Sequence, residues 1–206
     1  ISLILGSGLL FLNKKSKKKI NFIEQLVLII FVYLLISLLI ALPFYLSNYQ
    51  VTFINSLFEA ISGITGTGFS IFKNIKYLDP TLILWRSSSQ WIGGLYFLFF
   101  LTIIFSNKQF SFKMMDLTFS GDGVLNSENN IKNFLFKIFT IYSLLSLIIF
   151  LLLSFNDVRL FNSLNLSMSL ISTGGFIPTN KLGSIIYTNP QKIVLILSLI
   201  LSMTNF

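Results

Sequence analysis

The apolar positions of this chain fall into long runs, not into the alternation of a strand or the one-sided stripe of a soluble helix. Residues 22–44, 81–105 and 134–155 each supply the roughly 20 apolar residues that a helix needs to cross about 30 Å of hydrocarbon, so three full spans are predicted. A fourth run follows Pro190 and reaches the last residue. Pro80 and Pro190 each stand just before an apolar run, where proline suits the first helical turn. Two further segments, 51–70 and 158–177, are partly apolar and rich in Ser, Thr, Asn and Gly. Each is too short before its glycines to span, a length that fits a re-entrant or interfacial segment.

Composition turns this pattern into a class. Hydrophobic residues make up 54% of the chain and charged residues 11%, with a mean hydropathy of +0.82; a soluble domain carries about a quarter charged residues. The chain is therefore read as an all-α polytopic membrane protein. Histidine and cysteine are both absent, which excludes disulfides, thiol nucleophiles, Cys/His zinc sites and imidazole acid–base chemistry. Without clustered carboxylates either, no catalytic constellation assembles, and neither enzyme activity nor a cofactor is expected of this chain.

The net charge of +8 has a topological explanation rather than a nucleic-acid one. Lys14, Lys15, Lys17, Lys18 and Lys19 lie in the segment 13–20, and Lys108, Lys113, Lys132 and Lys137 in the segment 106–137. Two full spans separate these segments, so both lie on one side, which their lysines mark as cytoplasmic. Lys73, Lys76, Arg159, Lys181 and Lys192 fall on the other side. The sequence starts inside the apolar run 1–12, which has no basic leader or small-residue cleavage site, and stops inside the run from residue 193. The expectation is a piece of a longer protein.

The short segments repeat. Asn55-Ser56-Leu57 recurs as Asn162-Ser163-Leu164, Ser62 as Ser169, Ile64 as Ile171 and Gly68-Phe69 as Gly175-Phe176, always 107 positions on. Asp79-Pro80 corresponds to Asn189-Pro190 at an offset of 110. Each unit reads as long helix, short segment ending in glycines, connector and second helix, in the same orientation: a parallel duplication, unlike the inverted repeats of many secondary transporters. The predicted organisation is the end of a preceding transmembrane helix and a basic cytoplasmic loop over 1–20, a first helix–pore loop–helix unit over 21–106, a cytoplasmic linker over 107–132 and a truncated second unit over 133–206.

The chemistry of the repeat sits at Thr65-Gly66-Thr67-Gly68-Phe69 and Ser172-Thr173-Gly174-Gly175-Phe176. Irregular backbone at membrane depth has unpaired polar groups and survives only where it is buried in protein or lines a watery cavity. A row of carbonyls turned into such a cavity can replace the hydration shell of a hard cation. Glycine lets successive carbonyls aim the same way, and a threonine hydroxyl supplies a further oxygen or braces the turn. The plainer reading is two helix C-caps followed by ordinary loops. A phosphate-cradling loop is disfavoured, since no Gly-Lys-Ser/Thr ending is present.

At these residues the chain resembles the Trk/Ktr/HKT superfamily of potassium transporters, and within it the TrkH-like membrane subunits. The resemblance rests on Ala41-Leu42-Pro43-Phe44, on Phe58-Glu59-Ala60-Ile61-Ser62-Gly63-Ile64-Thr65-Gly66-Thr67-Gly68, and on Leu84-Trp85-Arg86 with Gln90-Trp91-Ile92-Gly93-Gly94. Ser172-Thr173-Gly174-Gly175-Phe176 completes it. It implies tandem helix–pore loop–helix repeats as in potassium-channel-like transporters, four of them around one pseudo-fourfold pore, of which this chain resembles the first two. The filter glycines would fall on Gly68 and Gly175. The coordinating carbonyls would come from Thr65, Gly66 and Thr67 and from Ser172, Thr173 and Gly174, with potassium as substrate. The chain departs from the family pattern at Gly66, where relatives often carry a bulkier residue such as threonine. The resemblance also implies a homodimer, a cytoplasmic nucleotide-binding regulatory subunit as partner, and a bacterial inner (plasma) membrane location. It places a gating loop in a third repeat and a basic residue in a fourth.

Three charged residues carry alternative readings. Glu59 in the first short segment, matched by Leu166 in the second, either attracts cations near an outer mouth or holds the loop by hydrogen bonds. Arg86 is expected to pack at the outer start of its helix, satisfying carbonyls or Glu59, with a direct role in transport as the lesser alternative. Asp122 in Ser120-Gly121-Asp122-Gly123 looks like a calcium-loop fragment, but the other ligands are missing and a solvated turn is expected. The functional expectation is potassium transport through a backbone-carbonyl filter. The alternatives are a proton- or sodium-coupled carrier, for which the three spans lack central ionisable residues, and a non-conducting scaffold, which would not need two matching glycine turns.

Overall fold

The computed structural model describes residues 22–105 and 128–203. Within them the chain forms α1 (Phe22–Tyr45), α2 (Phe53–Ile64), α3 (Pro80–Phe105), α4 (Glu128–Phe155), α5 (Leu160–Ile171) and α6 (Asn189–Met203). Short 3-10 turns at Ile75–Tyr77 and Leu182–Ser184 precede α3 and α6. The order long helix, twelve-residue helix, 3-10 turn, helix thus occurs twice. Among the described residues α1, α3 and α4 are long and apolar enough to cross a membrane. Residues 13–20, Lys108, Lys113 and Asp122 lie outside the described residues.

Where the sequence placed the third span at 134–155, α4 begins six residues earlier, at Glu128. Lys132 and Lys137 therefore sit on the first turns of a helix and not in a loop. Apolarity marks where hydrocarbon begins; nothing in the polar stretch before residue 134 breaks a helix, so the backbone runs on past it. Pro80 and Pro190 occupy the first and second positions of α3 and α6, as the missing proline N–H predicts.

Two cores flank a shared helix. Ile40, Ala41 and Phe44 of α1 pack with Ala60 and Ile64 of α2 and Leu82 of α3. Tyr142, Ile149 and Leu153 of α4 pack with Leu166, Leu170 and Ile171 of α5, and Trp91, Leu95 and Leu98 of α3 close against them. The α3 side chains also bond to neighbouring backbones: Trp85 Nε1 donates to Ile40 O (3.0 Å) and Tyr96 OH to Ile29 O (2.7 Å), while Tyr142 OH from α4 donates to Trp91 O (3.0 Å). The opposite faces of α1 and α4 remain apolar and open at Ile23, Val27, Phe31, Phe136, Leu144 and Leu147.

The outer connectors are joined as well. Asn180 Oδ1 accepts from Ile75 N (2.7 Å) and Lys76 N (3.4 Å), and its Nδ2 donates to Asn74 Oδ1 (3.3 Å). A segment following α5 is thereby fixed to one following α2.

Candidate functional site

The short helices α2 and α5 end in the same way. Thr65, one residue past α2, turns its hydroxyl back to Ile61 O (2.7 Å); Ser172, one residue past α5, turns its own back to Met168 O (2.9 Å). Gly66 N donates to Gly63 O (3.0 Å) and Thr67 N to Ser62 O (3.1 Å). In the second copy Thr173 N donates to Leu170 O (3.0 Å) and Gly174 N to Ser169 O (2.8 Å). Gly66 and Thr173 are both left-handed, with φ of +67° and +53°. This is the Schellman geometry of a helix C-cap, in which one left-handed residue lets two following N–H groups satisfy the last carbonyls of the helix.

Cap and carbonyl row are thus not exclusive alternatives. The N–H groups of Thr65, Gly66, Thr67 and Gly68 all turn inward onto α2. Among the described hydrogen bonds, the carbonyls of Thr65, Gly66, Thr67 and Gly68, and of Thr173, Gly174 and Gly175, accept nothing. The Ser172 carbonyl accepts the Thr173 hydroxyl at 2.7 Å. The Thr65 and Thr67 hydroxyls meet at 2.6 Å, bracing the first turn.

The two loops touch each other. A Cβ on Gly68 would lie 2.6 Å from the Gly175 Cα and 2.9 Å from its N, so the contact needs a glycine at this position, while a Cβ on Gly175 would stand 3.2 Å from the Gly68 Cα, a tight fit. Gly68 also has φ +79°. A Cβ on Gly66, by contrast, would have Ser172 O as its nearest neighbour at 3.6 Å. Of the eight residues singled out in the sequence, Gly66 and Gly68 thus meet Ser172, Gly174 and Gly175, and Thr65, Gly66, Ser172 and Thr173 line one cavity. The conformational match between Gly66 and Thr173 also resolves the departure at Gly66: the smaller residue takes the backbone form that threonine takes in the second copy.

Helix α3 passes between the loop bases, and its sequence explains how. A Cβ on Gly93 would run into the Ile64 carbonyl at the end of α2, and one on Gly94 would meet Ser172 Cβ at 2.9 Å. The adjacent glycines form the slot in which both short helices end against one long one. Below the loops, a cavity of about 490 Å³ is lined by Ile64, Thr65, Gly66, Ser172 and Thr173 at one end and by Gly93, Gly94 and the apolar or aromatic side chains of α1 and α3 around it.

Buried polar groups behind the loops hold them. Glu59 and Arg86 are 0% and 1% exposed and pair at 2.8 Å through Arg86 Nε. Glu59 Oε1 also accepts from Ser70 Oγ (3.0 Å), and Oε2 from Ile71 N (2.9 Å). Of the two readings of Glu59, loop-holding is the one the geometry gives: a fully buried carboxylate with its oxygens taken cannot face a pore mouth. Arg86 is bound to Glu59 through Nε and to no backbone carbonyl among the described hydrogen bonds, and its guanidinium stands 4.2 Å above the Phe176 ring, a cation–π distance.

Sequence reasoning assigns Gln90 no role. Its Oε1 accepts from Ser169 Oγ (2.8 Å) and from Phe176 N (3.2 Å), and a Cβ on Gly174 would collide with its amide. In the first loop the equivalent serine, Ser62, donates straight to Phe69 O (2.6 Å). The signal lies in the spacing: Arg86 and Gln90 are four apart, on one face of the span, with Ser87, Ser88 and Ser89 between them. The two equivalent phenylalanines also differ, Phe176 being 1% exposed under Arg86 and Phe69 69% exposed.

With this geometry in place, the chain can be set beside known proteins. The sequence profile of one family, described as TrkH, cation transport protein, matches residues 1–206. The chain is 28% identical over 165 residues to an uncharacterized cation transporter of Methanocaldococcus jannaschii, covering 80% of this chain and 34% of that protein. It is 33% identical over 92 residues to the Trk system potassium uptake protein TrkG of Escherichia coli, covering 44% and 19% of the two chains. To the Trk system potassium uptake protein TrkI of Halomonas elongata it is 42% identical over 60 residues, covering 29% and 12%. The matched stretch amounts to 34% or less of the length of each of these relatives.

Proposed function

Since the chain belongs to the TrkH family of cation transport proteins, we propose that it supplies two of the ion-selecting units of a potassium uptake protein, in which backbone carbonyls replace the hydration shell of the ion. The carbonyls of Thr65, Gly66 and Thr67 and of Ser172, Thr173 and Gly174 are the coordinating groups, and Gly68 and Gly175 hold the loops at contact. The observation that supports this reading is the matched pair of turns in contact at Gly68 and Gly175: the N–H groups of Thr65, Gly66, Thr67 and Gly68 are drawn onto their helix, and their carbonyls accept nothing among the described hydrogen bonds. Oxygen-only ligands of partial charge suit a hard monovalent cation. Thr173 adds support, since a β-branched residue at φ +53° is strained, and such strain collects at functional sites.

The cavity of about 490 Å³ next to the loops is the vestibule in which an ion leaving the carbonyls regains water. The protein that carries this chain sits in the bacterial inner membrane, works as a homodimer and binds a cytoplasmic nucleotide-binding regulatory subunit. Other units complete the ring around the ion, and Phe69 is the side chain that seats against one of them, as Phe176 seats here against Gly63 and Arg86. A coupled carrier is the second reading; among the described residues Arg86, near the start of α3, stands in a closed pair with Glu59, and the central parts of α1, α3 and α4 carry no Asp, Glu, Lys or Arg.

The test is rubidium uptake by the complete parent protein in cells lacking their own potassium uptake. Saturable uptake that potassium competes with far better than sodium, lost in Gly175→Ser at equal protein level, supports the reading. Uptake that sodium competes with equally, or that survives Gly175→Ser, contradicts it.

A further inference from the structure

The supports of the two loops are not alike, and the difference points to a single element. The first loop is clamped from its own short helix: Glu59 on α2 takes Ser70 Oγ and Ile71 N. At the matching position α5 carries Leu166, and the residue matching Ile71 is Pro178, which has no N–H to give. The second loop is instead held by the helix of the preceding unit. Gln90 on α3 takes Ser169 Oγ and Phe176 N, and the Gly174 backbone packs on its amide. One turn earlier, Arg86 stacks on the Phe176 ring while its Nε is bound to Glu59 of the first loop's clamp. Arg86, Gln90 and the Gly93-Gly94 slot therefore each touch a part of one loop or both, all from α3.

We propose that Arg86 and Gln90 are positioning residues for ion discrimination: through Phe176 they set the second loop against the first, and so the spacing of the two carbonyl rows. This rests on the carbonyl-filter reading above. The physical reason is the contact at Gly68 and Gly175. With the loops already at van der Waals distance, the second loop cannot move toward the first, and the α3 contacts are what keep it from moving away. A hard cation is told from a smaller one by the number and spacing of oxygens around it, so a loop free to retreat loses discrimination before it loses conduction. Among the described residues, Arg86 Nη1 and Gln90 Nε2 are buried without a hydrogen-bond partner. Their retention at 1% and 0% exposure is costly for a purely structural pair, and fits residues kept for the groups their other atoms hold.

The experiment uses the complete parent protein in uptake-deficient cells, measuring rubidium KM, maximal rate, competition by sodium and protein level in the membrane. Gln90→Leu removes the acceptor for Ser169 and Phe176; Gln90→Glu keeps it. Phe176→Leu removes the ring under Arg86 and leaves the Glu59 pair intact. Expected for Gln90→Leu and Phe176→Leu is a rise of about tenfold in sodium competition, the scale of one or two buried contacts, with uptake retained. Gln90→Glu stays within about twofold of the native protein. A purely structural role would lower protein level and maximal rate in proportion and leave sodium competition unchanged, which overturns the proposal. If Gln90→Leu does not reach the membrane, Ser169→Ala removes one of its two donors at little change in volume; a rise in sodium competition there supports the proposal and an unchanged value overturns it. Gly68→Ser run in parallel separates the two claims. If Gly68→Ser abolishes uptake at matched protein level and the α3 set leaves sodium competition unchanged, the positioning role fails alone. If Gly68→Ser keeps native uptake and native sodium competition and the α3 set also changes nothing, the filter reading fails with it.

Discussion

Single residues decide how the two turns are held. Glu59 and Arg86 are a pair shielded from water, and removing one partner of such a pair costs about 3–5 kcal/mol because the other charge is left uncompensated. Glu59→Gln is thus expected to lower the thermal stability of the parent protein in detergent strongly, and Glu59→Gln with Arg86→Met to recover much of the loss. An unchanged melting temperature in the single variant would contradict this. The left-handed positions make an opposite pair of expectations. Thr173→Gly removes the strain of a β-branched residue at φ +53°, so it should stabilise the fold by about 1 kcal/mol. Gly68→Ala meets both a φ of +79° and the Gly175 backbone, and should force the loops apart and abolish uptake. Melting curves and uptake at matched protein level check the two together.

Helices explain what is and is not legible in the sequence. The spans, the prolines at helix starts and the 107-residue repeat can be read directly, because hydrocarbon length and missing proline N–H groups act locally and the repeat keeps its spacing through α2 and α5. The start of α4 cannot, because apolarity reports the membrane and not the helix. The roles of Gln90 and Phe176 are hidden because their partners lie 79 and 90 positions away in the chain, on another element. Glu59 is ambiguous for the same reason: its role depends on the chain folding back at Ser70 and Ile71. At this scale α3 is the element to perturb. Gly93→Ala puts a methyl against the Ile64 carbonyl, an overpacking that costs about 1–3 kcal/mol or more. It should displace the end of α2 and reduce uptake more than Gly183→Ala, whose site is open. Equal uptake in the two variants would remove α3 from its place as the common wall.

At the scale of the whole molecule, two units of equal element order share α3, and the outer connectors are bound through Asn180. On the proposed reading such an arrangement supplies two carbonyl rows, and since a cation needs oxygens from all round, the remaining ligands would come from the rest of the parent protein. Everything proposed for this chain depends on the carbonyls of Thr65, Gly66, Thr67, Ser172, Thr173 and Gly174 coordinating the ion. Anomalous diffraction from crystals of the complete parent protein soaked in rubidium would show this without an intermediate step. The expected result is a rubidium peak within coordination distance of these carbonyls, weakened or lost in Gly175→Ser. A well-ordered structure with rubidium bound elsewhere, or with these loops empty at saturating rubidium, would contradict it.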